Sequence, residues 1–143
     1  MALTQDRKVQ ERAGVDAGHP IAAASATIFA GAIVLLKAGE AIPGREGDGA
    51  DNAAKAAEAA TFVAIGIARK TVTAADGMVP TRAGCFLFRN ATAADAITRA
   101  DIGKAAYVID DETVGKTNPN TIRAKAGTII DVESVGVWVR VGV

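Results

Sequence analysis

Val and Ile together contribute 26 residues to this chain and Leu only 4. Branching at Cβ stiffens the side chain, fits a pleated surface and disfavours a helix. The imbalance therefore supplies large apolar groups suited to strands and almost none suited to helix packing. The remaining apolar weight is Ala, 32 of 143 residues, which buries little area per residue. The core is expected to be thin. A chain of this length is one domain's worth, and 15 Gly with 4 Pro provide the turns that many short strands need.

The chain divides by pattern. Residues 1–20 alternate charge through Asp6, Arg7, Lys8, Glu11, Arg12 and Asp16, with Gly14 and Gly18 and few large apolar groups. Such a stretch cannot offset its own ordering entropy, so it reads as an extended N-terminal arm, disordered or ordered on a partner. From residue 21 to 143 the pattern is strand-rich. Ile28–Leu36 reads as two short strands or one bent at Gly31. Lys37–Glu40 is a turn and Ala41-Ile42 its return.

Residues 45–61 open with Gly and Asp and continue as Ala53-Ala54-Lys55-Ala56-Ala57-Glu58-Ala59-Ala60. Ala, Lys and Glu favour helix, but a helix this short without large apolar residues is marginal. The segment is expected to be an exposed, short helical excursion whose removal costs the body little.

Beyond it, Phe62–Ala68, Met78–Arg82, Gly84–Arg89, Ala105–Ile109, Thr113–Lys116, Ile122–Val132 and Val137–Val141 read as strands. Pro80 suggests an edge or bulge, and Asp95–Ala100 one helical turn. Short strands broken by Gly and Pro at this spacing predict an all-β fold, a small β-barrel or sandwich.

Reactive constellations are few. The sequence has neither a phosphate-binding Gly-rich loop ending in Lys-Ser/Thr nor a Gly-x-Ser-x-Gly nucleophile turn. His19 is the only His and lies in the arm, beside Pro20. Cys85 is the only Cys, which excludes an intramolecular disulfide framework; next to Phe86 and Leu87 it reads as a buried, inert thiol. Asp110-Asp111-Glu112 reads as a solvated turn rather than a calcium site. Glu46, Asp48 and Asp51 lack the closing bidentate acid of a calcium loop.

Sixteen basic residues balance sixteen acidic ones, an unpromising charge for nucleic acid or an anionic membrane. The longest apolar run is nine residues against roughly 20 for a membrane span. The amino end lacks a secretory apolar region. The expectation is a chain made in a cytosol-like compartment, without cofactor or metal and without enzymatic activity. A small β-barrel enzyme or ligand-binding protein is the contrasting class, but no set of polar groups nominates itself for a pocket.

Several stretches resemble one family. Met1-Ala2-Leu3-Thr4 with Asp6-Arg7, Ile28–Leu36 before a Gly turn, Phe62–Ala68 and Phe86-Leu87-Phe88-Arg89-Asn90 are similar to small tailed-phage and prophage head proteins. Ala94–Thr98, Asp101–Asp111 and Gly136–Val139 continue the likeness. The chain thus resembles capsid decoration, or cement, proteins over nearly its whole length. The resemblance implies an all-β protein on the outer surface of the assembled virion capsid. Its partners would be the major capsid protein and further copies of itself, commonly as a homotrimer. Another virion module, such as a head-fibre base or tail component, is the alternative.

Contact residues follow from the same reading. Arg7, Lys8 and Arg12 of the arm would clasp the capsid or a neighbouring subunit. In the last strand Val137, Val139 and Val141 share one face, leaving Trp138 and Arg140 on the other. If the valines face the core, Trp138 and Arg140 point outward, a pairing enriched at interface centres; otherwise the strand is reversed or Trp138 is capped by a loop.

Overall fold

A computed structural model of the chain describes residues 16–142. Among these the strands are β1 (Asp16–Pro20), β2 (Ile33–Lys37), β3 (Glu40–Pro43), β4 (Phe62–Ala68), β5 (Met78–Arg82), β6 (Gly84–Asn90), β7 (Ala105–Val108), β8 (Thr113–Gly115), β9 (Lys125–Glu133) and β10 (Gly136–Val141). One helix, α1 (Asn52–Ala59), lies between β3 and β4. The strands form a five-stranded sheet in the order β1-β5-β4-β2-β3 and a closed barrel in the order β10-β6-β8-β7-β9. The fold is all-β, as the β-branched composition predicts.

The unbroken apolar run in β2 follows from burial on both faces. Ile33 and Leu35 join Ile42, Phe62, Val108, Ile129 and the β10 valines in the core shared with the barrel. Val34 joins Ile21, Ile28, Val72 and Val79 in a second core on the other face. The β2–β3 hairpin turns through Ala38 at φ 50° and Gly39 at φ 84°, the pair of positive angles that matches strand twist in a two-residue loop. In the barrel, Gly127 is dictated by close approach. A Cβ there would stand 1.8 Å from the Arg140 carbonyl oxygen.

Four expectations change. The end of the proposed arm is a strand: Asp16–Pro20 pairs antiparallel with β5, Asp16 opposite Arg82 and Pro20 opposite Met78. Of the Ile28–Leu36 run only the part from Ile33 is strand. Gly31 takes φ 87°, and Ile28 makes an isolated bridge to Val72. Pro80 sits in an interior strand rather than at an edge. The β4–β5 ladder covers only Ile67–Arg82 and Ala68–Thr81, so the missing N–H of Pro80 falls outside it. The turn expected at Asp95–Ala100 is two short 3-10 turns, Ala93–Asp95 and Arg99–Asp101.

The excursion at 45–61 is helical, but polar contacts attach it to the body. Asp51 caps α1, its Oδ1 accepting from the Ala54 N–H at 2.8 Å. Glu58, on the inner side, accepts from Arg45 Nη2 at 2.8 Å and Lys37 Nζ at 2.7 Å, and from the Asp48 N–H. Arg45 lies 5.0 Å over the Phe62 ring. Glu46 accepts from Arg123 Nε at 2.8 Å, and Arg123 also donates to Asp95 and to the Thr117 carbonyl oxygen. Large apolar residues were not needed because charge-assisted hydrogen bonds hold the segment. Ala59 is buried while Ala53, Ala54 and Ala57 face outward.

Candidate functional site

The alternation of β10 places its two candidates as expected. Val137, Val139 and Val141 are fully buried, so Trp138 and Arg140 lie on the outer face of the barrel. Trp138 is half-buried and Arg140 exposed. The indole Nε1 donates to Glu133 Oε2 at 3.1 Å, tying the ring to the end of β9. Arg7, Lys8 and Arg12 lie outside the described residues.

Neighbouring strands add residues that the sequence did not nominate. Trp138 stands opposite Leu87 and Arg140 opposite Cys85 in β6. Leu87 is 41 % exposed, and Cys85 is exposed too, which overturns the expected buried thiol. The reason is phase. Phe88 is buried and Phe86 packs edge-on against it at 6.5 Å between ring centroids, so the intervening odd positions of β6 face solvent.

On the other side of β10 the register shifts between Trp138, opposite Asp131, and Val139, opposite Ile129. Ile130 is the extra residue of this bulge and is turned outward at 37 % exposure. Val135, at the hairpin tip, is 71 % exposed. Leu87 lies over Gly136, its Cδ1 3.2 Å from where a Cβ on that glycine would stand.

Beyond β6 the surface is more polar but still exposes an aromatic ring. A groove of about 470 Å³ is lined by Phe29, Gly31, Leu87, Arg89, Asp111 and Glu112, and Phe29 is 59 % exposed. Arg89 meets Glu112 at 3.2 Å, and Arg99 meets Asp131 at 2.8 Å. The Val132 amide and then Arg99 hold the Asp131 carboxyl below its usual range. Exposed apolar side chains thus stand here among paired charges.

The acidic clusters are occupied with local structure. Asp110 Oδ1 accepts from the Glu112 and Thr113 amides at 2.9 and 2.7 Å, ordering the β7–β8 turn. Burial, and then the neighbouring Asp110 carboxylate, raises the Asp111 carboxyl above its usual range. Among the described residues no three His, Cys, Asp or Glu side chains converge as a metal site. His19 sits half-buried in β1.

Comparison with family models, curated proteins and solved structures finds no match to this chain. The outer face of β6, β10 and β9 is thus characterised by its own residues: Leu87 opposite Trp138 and Cys85 opposite Arg140, with Ile130 at the bulge and Val135 at the hairpin tip. The alternation of Phe86 and Phe88 could have nominated Leu87 and Cys85. Ile130 carries no such signal, because a bulge changes phase without a Gly or Pro to mark it.

Proposed function

We propose that this chain is a virion structural protein that binds the outer surface of an assembled phage capsid and stabilises it, associating as a homotrimer. The observation that carries the reading is the outward apolar face of the barrel, with Trp138 and Leu87 paired across β10 and β6 beside exposed Ile130 and Val135. The resemblance of the sequence to decoration proteins supplies the partner. Cement action needs no chemistry at the bound site. Each copy adds its binding free energy to the assembled state, and a face of this kind is suited to that burial.

The test is co-sedimentation of the purified chain with capsids that lack their decoration protein, followed by thermal disruption of the shells. Saturable binding to intact shells and a raised disruption temperature are expected. Retention of the chain in the supernatant at every concentration, with shells unaltered, contradicts the reading.

A further inference from the structure

The barrel closes through a very short ladder. β6 and β8 run parallel and meet at two positions, Arg89 opposite Thr113 and Asn90 opposite Val114. The ladder stops there because the chain before β8 turns away. Asp110 Oδ1 ties the Glu112 and Thr113 amides into a turn, and the Asp111 carbonyl oxygen accepts from the Ile33 N–H at 2.8 Å. Residues 110–112 are thus committed to β2 instead of continuing along β6.

The consequence is an unpaired edge. The Arg89 N–H donates to the Glu112 carbonyl oxygen at 2.9 Å, so Arg89 points its backbone groups away from β10. Backbone direction alternates along a strand, and β6 stays in register with β10 from Gly84 to Phe88. Cys85 and Leu87 therefore present their N–H and C=O groups on the flank that Arg89 uses. No backbone group among the described residues pairs with them there. Such groups, roughly 7 Å apart on an exposed edge, are what an added strand pairs with. Beside Leu87 the groove of about 470 Å³ gives that strand room, and Phe29, Gly31, Asp111 and Glu112 also line it.

Charge selects the occupant. Arg89 is matched by Glu112 at 3.2 Å, whereas Asp111 has no ion-pair partner among the described residues. Burial already disfavours the Asp111 charge, a cost that a nearby cation offsets. Side chains two apart share one face of an extended segment, and the exposed Phe29 ring offers apolar contact to the neighbour of that cation. The edge strands of a second copy fit poorly. β1 and β3 hold no Lys or Arg, bring Asp16 and Glu40 towards acids, and end in Pro20 and Pro43, which have no N–H to donate.

We propose that the Cys85–Leu87 edge of β6 takes up an extended basic segment of a second protein as an added strand, with its Lys or Arg beside Asp111 and an apolar side chain against Phe29. The inference rests on hydrogen bonding and charge and does not depend on the capsid reading.

Amide chemical shifts of the full chain test it, titrated with the synthetic peptide acetyl-Thr-Val-Thr-Arg-Thr-amide and with its counterpart carrying Glu for Arg. The Arg peptide should give saturable shifts at the Cys85 and Leu87 amides with a Kd of about a millimolar, and the Glu peptide should bind about tenfold more weakly. An Arg peptide N-methylated at alternate amides should leave those shifts unmoved. Asp111→Asn removes a charge whose side chain has no ion-pair partner to lose, and should bring the two peptides within about threefold of each other. Absence of saturable shifts at Cys85 and Leu87 with the Arg peptide overturns the proposal, as does equal affinity for both peptides. Protection of these amides from exchange without peptide also overturns it: if lost on dilution, a second copy holds the edge; if lost on deletion of residues 1–15, the chain's own arm does.

Discussion

Glu58 shows how a single side chain determines the fate of a whole segment. It sits in a helix with little apolar surface, yet its side chain is only 15 % exposed. Hydrogen bonds from Arg45, and against burial those from Lys37 and the Asp48 amide, hold its carboxyl well below the usual carboxylate range. A carboxyl depressed in the folded state stabilises fully above its unfolded pKa of about 4.3. That contribution is lost as pH falls through the folded value. Glu58→Gln should therefore lower stability at neutral pH by about 2 kcal/mol, with the gap to the parent narrowing below about pH 4. Urea unfolding at several pH values measures both. A gap that widens on acidification contradicts the assignment. Cys85 offers a second check at this scale. Exposed on β6, it should react with a thiol reagent in the folded protein within about tenfold of its rate in denaturant, whereas a buried thiol would react only on unfolding.

Among the elements, legibility followed the period of the pattern. β10 could be read in full because one Trp and one Arg interrupt three valines at strict alternation. The existence of β2 was legible, but its surroundings were not. A run buried on both faces carries no alternation to show where the partners lie. Asp16–Pro20 was hidden because Asp, Gly and Pro are poor strand formers. Pairing with β5 and the Arg82–Asp16 ion pair override that local preference. The bulge at Ile130 and the outward Cys85 depend on register between distant strands, which neighbouring residues do not encode.

The helical excursion forms where its sequence predicts it, but what anchors it was illegible for a different reason. The sequence showed no apolar anchor, and its anchors are Glu46 and Glu58. Replacing residues 46–60 with a short Gly-Ser link, expected from loop entropy alone to cost little, should instead cost about 2–4 kcal/mol. It strips partners from Arg45 and from Arg123, whose side chain is 11 % exposed. Denaturant unfolding of the replaced chain checks this, and a loss under about 0.5 kcal/mol would return the segment to the status of a detachable flap.

At the scale of the molecule, a core built largely from Val, Ile and Ala leaves apolar area on the outside. Small domains with thin cores commonly gain stability by association. Trp138→Ala should weaken both self-association and capsid attachment by about tenfold or more, while the barrel folds unchanged because its buried side is the valine face. Light scattering over a concentration range, beside capsid binding, follows both effects, and unchanged affinity in the variant removes Trp138 from the interface. A cryo-electron microscopy map of capsids incubated with the chain shows directly where that face lies in an assembled particle. The expected map has density on the outer surface of the shell, three copies together, with Leu87, Ile130 and Trp138 covered by a neighbour or by the shell. A bare capsid surface, or density with that face open to solvent, would contradict it.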